Sequence, residues 1–370
     1  MAKRPCTVEG LALKDLFGSS YAGRQVLVTG HTGFKGSWLC LWLTALGARV
    51  TGLALAPDTD PAHWSLLGLS HVRDLRVDLR DGNAVRQALE QVQPEIIFHL
   101  AAQSLVRRSY REPLTTFDTN VLGLVHLLEA VRGVPSVQAL INVTTDKVYL
   151  EQPVDSGYRE DHPLGGHDPY STSKACAELV TEGYRKSFFH EHGPKVATAR
   201  AGNVIGGGDW SEDRLVPDLV RAASTGDMLK IRNPDAIRPW QHVLEPLSGY
   251  LRLGQGLLAG DPVEGPWNFG PAADATLPVR ALVSRLQAEW PELRSEYHPG
   301  PHPHEAKTLQ LDCLKAAQAL AWRAVWNADD TLRHTASWYR AYYARGQLRS
   351  GEDLHDYVAA ARAAGLDWAA

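Results

Sequence analysis

The sequence predicts an α/β fold: a Rossmann-type doubly wound parallel sheet with a smaller, partly interleaved C-terminal lobe. Three observations carry this reading. Short apolar runs rich in β-branched residues alternate with helical spacings as far as about Ala201. Such runs are buried on both faces, as strands of a parallel sheet are. A glycine triplet, Gly30, Gly33 and Gly36, joins the first run to the first helical spacing. Beyond Asn203 the alternation loosens, and glycine, proline and tryptophan cluster in Gly206 to Trp210 and in Asn233 to Trp240.

The elements follow in order. Val26-Leu27-Val28-Thr29 reads as a buried strand ending at Gly30. Gly36 to Gly47 is a helix apolar almost all round, and Arg49 to Leu55 a second strand. Val77 and Asp78 end another. Asp81 to Gln91 is helical, with Val85 and Leu89 on one face and Asp81 as N-cap. Ile96 to Leu100 is a strand, Asn120 to Val131 a helix, Ala139 to Thr144 a strand, Tyr170 to Phe188 a helix and Val196 to Ala201 a strand. Strand-like Trp267 to Phe269 and a helix near Pro278 to Trp290 come later. The expected division is a dinucleotide-binding domain over 21–201, with segments returning near 238–270. A substrate-binding lobe takes 202–237 and 271–345, and 346–370 is a C-terminal tail.

Composition excludes several classes. The chain has 370 residues, 44% of them apolar, so a large core forms without staples. The net charge is −4 and no basic block stands out, which argues against a nucleic-acid partner. Cys6, Cys40, Cys176 and Cys313 form no CxxC pair and no zinc spacing. They read as reduced thiols of a cytoplasmic protein, and no metal site is expected. Residues 1–20 lack the pattern of a signal peptide. The longest apolar run, Trp38 to Leu46, is about half the ~18 residues a membrane span needs.

Gly30-His31-Thr32-Gly33-Phe34-Lys35-Gly36 has the spacing GxxGxxG between strand and helix. Glycines there permit a tight turn and let the backbone approach a pyrophosphate at the helix N-terminus. The acid expected at the end of the second strand is missing, and Asp58 and Asp60 come late. No arginine stands there for a 2′-phosphate, so this region leaves NAD and NADP open. Asp78 is placed to accept from the adenine amino group.

Tyr170 and Lys174 stand at i and i+4 on one helix face. A lysine cation near a phenol favours phenolate, a base able to take a proton from a sugar hydroxyl. Thr145, at the end of a strand, lies where the crevice of such a sheet opens, and its hydroxyl bridges the substrate oxygen and Tyr170. Glycine loop, Thr145, Tyr170 and Lys174, in this order, resemble the short-chain dehydrogenase/reductase family. Length and Arg200-Ala201-Gly202-Asn203 resemble its extended, nucleotide-sugar branch. The resemblance implies bound NAD, held by Gly30, His31, Thr32, Gly33, Phe34, Lys35, Gly36, Asp78 and Leu79. It adds Leu100, Ala101, Ala102, Gln103, Asn120, Tyr170, Lys174 and Arg200.

Asp146 and Lys147 follow Thr145 directly. A 4-epimerase moves hydride at one carbon and needs no acid–base pair there. A 4,6-dehydratase must remove the C5 proton and protonate the leaving 6-hydroxyl. Asp-Lys at this position is similar to the dehydratases acting on CDP-glucose, where the dTDP-glucose enzymes have Asp-Glu. The runs Ile231-Arg232-Asn233-Pro234, Ile237 to Pro246, Trp267 to Pro271 and His302-Pro303-His304-Glu305-Ala306 match the same pattern. Val148-Tyr149-Leu150-Glu151 departs from it. The resemblance implies catalytic Thr145, Asp146, Lys147, Tyr170 and Lys174, and a lyase of deoxysugar biosynthesis. Lys147 is expected as a neutral amine and Asp146 as a protonated acid. A 4-epimerase, a dehydratase for another nucleotide and an idle NAD-binding sensor or scaffold are the rival readings.

A nucleotide diphosphosugar brings two negative charges that need donors. Arg238 is the first candidate, since a guanidinium fork suits a pyrophosphate. Arg232, Asn203, Asn268 and His304 follow, and Ser104 and Arg107 are placed at the hexose. Trp210 and Trp240 are candidates for the base pocket or for the core. The resemblance also implies a homodimer or dimer of dimers, through helices bearing Val121, Leu124, Val125 and Leu128.

Overall fold

The computed structural model describes residues 13–152, 156–231, 233–297 and 310–370. In its first half strands and helices alternate. These are β1 (Gln25–Thr29), α1 (Phe34–Ala45), β2 (Arg49–Ala54), α2 (His63–Leu67), β3 (Arg73–Arg76), α3 (Gly82–Val92) and β4 (Ile96–His99). Next come α4 (Val106–Arg111), α5 (Pro113–Phe117), α6 (Gly123–Arg132), β5 (Ala139–Val143), α7 (Pro169–Phe188) and β6 (Lys195–Arg200). The second half holds β7 (Val204–Ile205), α8 (Leu215–Thr225), β8 (Leu229–Ile231), β9 (Ile237–Pro239), β10 (Gln241–His242), α9 (Leu244–Ala259) and β11 (Gly265–Asn268). It ends with β12 (Thr276–Pro278), α10 (Val279–Glu289), β13 (Ser295–Tyr297), α11 (Leu314–Leu320), α12 (Ala328–Arg345) and α13 (Ser350–Ala363).

Seven strands form one sheet in the order β11-β6-β5-β4-β1-β2-β3, parallel throughout. Two cores explain why its central strands are apolar at most positions. Val26 and Val28 of β1 face a core built with α1, α9 and the C-terminal helices. Leu27 faces the opposite core, built with α3, α6 and α7. Trp38 to Leu43 of α1 are fully buried, because this helix lies between the sheet and α9, α12 and α13. An all-round apolar helix fits that position.

Three features depart from expectation. The helix over Asn120 to Val131 is interrupted: a π-helical turn spans Asp118–Leu122, and α6 begins at Gly123. Tyr170 lies one residue inside α7, which starts at Pro169 with Asp168 as N-cap. Residues 346–370 are no loose tail. Leu354, Tyr357 and Val358 of α13 are buried, and Trp368 stacks on Phe17 at 5.0 Å. Apolar spacing in that segment is what drives it into the core.

After β6 the chain builds small two-stranded sheets, β7 with β10, β8 with β13 and β9 with β12, before β11 returns to the edge of the main sheet. This layer lies over the C-terminal ends of the central strands and walls one side of the crevice.

Candidate active site

The strand order reverses between β1 and β4, and ligands of open α/β sheets bind in the crevice at such a point. Here the ends of β1, β4, β5 and β6 open into a cavity of about 830 Å³. One wall is the glycine loop. Gly33 is the N-cap of α1 and offers no side chain to the first-turn N–H groups, which stay available to an anion. A Cβ at Gly36 would overlap the carbonyl oxygen of Gly30, so the tight turn requires glycine. Thr32, Phe34 and Lys35 complete this wall. Asp78 and Leu79 line its outer end, and Leu100, Ala101, Ala102 and Gln103 line the strand side. An uncapped helix end, a glycine turn and an acid at the far edge suit a dinucleotide.

Thr145, Asp146, Lys147, Tyr170 and Lys174 meet at the centre of the cavity. The short helical turn Asp146–Val148 follows β5 directly and turns these side chains inward. Asp146 is 1% exposed. It accepts from Thr145 Oγ1 at 2.9 Å, from Asn203 Nδ2 at 3.1 Å and from Lys147 Nζ at 3.3 Å. Gly202 makes the room, since a Cβ there would collide with the Asp146 carboxyl. Tyr170 is held from behind by its N–H to Ser109 Oγ at 3.1 Å. Burial pushes its phenol up to about 12, and a hydrogen bond with Thr145 works against that rise. Lys174 donates to the Val143 carbonyl at 3.0 Å, and burial lowers its ammonium to about 8. Burial lowers Lys35 to about 7, helped by the Arg214 charge.

On the lobe side Ser104, Arg107, Asn203 and Arg238 line the cavity, as do Trp210 and Trp240. Both indoles also serve the core: Trp210 Nε1 donates to Tyr343 Oη at 3.1 Å and Trp240 Nε1 to the Leu277 carbonyl at 3.2 Å.

Four of the expected ligand residues are placed elsewhere. The His31 ring is fully buried against Trp64 and bonds Asp74 at 2.9 Å, so only its backbone belongs to the loop. Asn120 bonds the backbone of Gln103 and Ser173 Oγ, and thereby holds the Gln103 loop from outside the cavity. Arg200 pairs with Glu178 through two bonds of 2.9 Å and donates to Tyr149 Oη at 2.7 Å. Asn268 accepts from Tyr149 Oη and donates to the carbonyls of Tyr158 and Asp312. Arg200 and Asn268 are thus fastened beneath the site, facing protein on every side. Arg232, His302 and His304 lie outside the described residues.

Sequence reasoning named Arg107 but missed the other groups that span the mouth. Arg214 donates to Asp209 at 2.9 Å and to Ser104 Oγ at 3.3 Å. Arg108 bonds Asp58 at 2.6 Å and Glu212 at 3.0 Å, Arg111 bonds Glu212 at 2.9 Å, and Arg107 bonds Asp213 at 3.2 Å. Three arginines on one short helix, with acids in a distant loop, were the available signal.

Fold and site define a nucleotide-sugar-modifying enzyme of the extended short-chain dehydrogenase/reductase class. The GDP-mannose 4,6 dehydratase family matches residues 27–262, and the chain belongs to that family. A CDP-glucose 4,6-dehydratase from Salmonella typhimurium is 46% identical over 351 residues, covering 92% of this chain and 98% of that protein. A dTDP-glucose 4,6-dehydratase from Xanthomonas campestris is 27% identical over 334 residues, covering 85% and 92%. Among solved structures, a UDP-glucose 4-epimerase from Thermus thermophilus in complex with NAD superposes with a TM-score of 0.74 at 27% identity, over 85% of this chain and 98% of that one. A dTDP-glucose 4,6-dehydratase from Streptomyces venezuelae, solved with NAD, gives 0.73 at 25% identity, over 86% and 98%. The cofactor is NAD.

Proposed function

We propose that this chain converts CDP-D-glucose to CDP-4-dehydro-6-deoxy-D-glucose and water. The observation that carries the reading is the buried Asp146 with Lys147 against it, directly after Thr145 and beside Tyr170. An epimerase has no use for that pair, whereas elimination across C5 and C6 needs both members. The 46% relative supports cytidine as the nucleotide.

NAD supplies the hydride acceptor at C4 and the donor at C6. Tyr170 removes the proton of the 4-hydroxyl, with Thr145 beside it in the cavity and Lys174 one turn along the same helix. A ketone at C4 makes the C5 hydrogen acidic. Lys147 takes that proton, and Asp146 protonates the departing 6-hydroxyl. Lys147 then returns its proton to C5 as hydride reaches C6. Ser104 and Arg107 face the hexose, and Arg238 and Asn203 hold the diphosphate.

Incubation with CDP-glucose and catalytic NAD tests this directly. The expected product is lighter by one water, with no stoichiometric NADH. An unchanged mass, or NADH matching product, overturns it. Lys147→Ala should oxidise C4 yet stall, with elimination slowed ~10²–10⁴-fold and NADH absorbance persisting. Unimpaired dehydration would remove Lys147 from the role of base.

The chain is also proposed to work as a homodimer or dimer of dimers in the cytoplasm. Leu114, Phe117, Leu122, Leu179 and Phe188 stand exposed on α5, the adjoining π-turn and α7, which pack together. They replace the expected Leu124 and Leu128, which are fully buried in the core beneath α6. Val121 and Val125 are half-buried. Among the described residues Cys40, Cys176 and Cys313 are free, which accords with a reducing compartment. Among the described residues no helix is long and apolar enough to cross a membrane.

A further inference from the structure

The dinucleotide turn carries glycine where a side chain would block a pyrophosphate, and glycine is the residue least able to hold a backbone still. Gly33, the N-cap of α1, offers no side chain to the first turn. What steadies this turn must come from behind it.

Ser37 closes the turn, with its N–H on the Gly33 carbonyl at 2.9 Å and its hydroxyl on the Phe34 carbonyl at 2.8 Å. The same hydroxyl oxygen meets His63 Nδ1 at 2.8 Å, and His63 Nε2 meets Ser350 Oγ at 2.8 Å. Trp338 Nε1 donates to that Ser350 oxygen at 2.9 Å. A carbonyl only accepts and an indole N–H only donates, so the two ends fix the direction of the whole chain. Ser37 commits its hydrogen to Phe34. His63 Nδ1–H therefore donates to Ser37, and Ser350 donates to His63 Nε2. One neutral tautomer completes all four bonds. With the proton on Nε2 instead, the Ser37 hydrogen would turn to the ring and leave the Phe34 carbonyl. Ser37, Trp338 and Ser350 are 0% exposed and His63 is 2% exposed. Burial lowers the His63 imidazolium to about 3, in keeping with a neutral ring. The ring stacks on Trp38 at 5.0 Å, and Gly208 leaves it room, since a Cβ there would overlap it.

We propose that His63 is a positioning residue for the dinucleotide, and that helix α13, through Ser350, is the support that holds it. The inference rests on the NAD assignment and not on the choice of sugar nucleotide. An imidazole fastened at both ring nitrogens keeps the Ser37 hydroxyl in place, and with it the free N–H groups of the first turn of α1. The turn is then ordered before NAD arrives, and binding has less freedom to remove. The segment 346–370 thereby becomes part of the cofactor site without touching the cofactor.

His63→Phe keeps a flat ring and removes both bonds. Titration calorimetry on the ligand-free variant should find NAD affinity lower by ~10-fold, with CDP affinity within about twofold of wild type. His63→Asn, whose amide nitrogen takes the place of Nδ1, should recover most of the loss. Ser350→Ala should weaken NAD in the same direction and spare CDP. Unchanged NAD affinity in His63→Phe overturns the proposal. So does an equal fall for CDP, which marks a general loosening of the fold. In wild-type protein, ¹⁵N NMR should show the His63 proton on Nδ1 and no titration between about pH 5 and pH 8. A ring that titrates in that range, or carries its proton on Nε2, also overturns it. Should His63→Phe fail to fold, Ser350→Ala and the NMR measurement decide. A wild type that binds NAD but not CDP would sink the functional reading instead, and the recovery by His63→Asn would then decide this proposal.

Discussion

At the scale of single residues the site is a collection of charges kept where burial opposes them. Lys35 shows it most clearly. Its ammonium is lowered from 10.5 to about 7, first by burial and then by Arg214. The unfolded chain holds that proton up to the ordinary lysine range, so between about pH 7 and pH 10.5 it binds more protons than the native state. Native stability without ligands therefore rises with pH across that window, and the full penalty stands below it. Lys35→Met should raise the melting temperature of the ligand-free protein most at pH 6, with the gain shrinking towards pH 10. Equal gains at both pH values would show that the charge is not the cause. Residues whose type and position both carry chemistry were legible from sequence: Thr145, Asp146, Lys147, Tyr170 and Lys174 converge as their spacing implied. Arg200 and Asn268 were misplaced because an arginine or asparagine in a motif looks the same whether it meets a phosphate or a buried Glu178. Only the fold decides which partner arrives.

Among the elements, α7 matters most, because it presents Tyr170 and Lys174 from one face. Its rotation is fixed one turn further along by Glu178. Both carboxylate oxygens accept from Arg200, while Thr144 Oγ1 at 2.5 Å and Thr198 Oγ1 at 2.6 Å complete the set. Helix α7 is thereby tied to β6 and to the end of β5. Glu178→Ala leaves the Arg200 guanidinium buried without its anion and should cost about 3–5 kcal/mol in chemical unfolding. A loss below about 1 kcal/mol would mean that packing alone sets the helix. The central strands and α1 could be read from apolar runs, since two-sided burial leaves few polar positions in them. Strand β3 was legible only by its end, expected at Val77-Asp78 and found at Arg76, because Arg73 to Arg76 is a largely exposed edge with no apolar run. The interruption over Asp118–Leu122 was silent, as a π-turn carries no residue signature there.

At the scale of the whole molecule, the exposed leucines on α5 and α7 point outward from the second core. Leu179 is 62% exposed and Leu114 86%. Leu179→Glu should shift the assembly to monomer at micromolar concentration in sedimentation, with NAD binding retained. An unchanged sedimentation coefficient would clear this face of a role. The bridge of Arg107, Arg108 and Arg111 to Asp58, Glu212 and Asp213 acts on the molecule as a whole, since it ties the cofactor side of the crevice to the substrate side. Its consequence follows from the reaction's timing. Between loss of hydride from C4 and its return to C6, the sugar is an intermediate and the enzyme is in debt by one hydride. A crevice that gaped at that moment would shed a half-finished ketose and strand a reduced, idle enzyme that no second molecule of glucose nucleotide can revive. Keeping the mouth shut through that interval protects the enzyme from cycle to cycle, and the arginine bridge stands where it would do so.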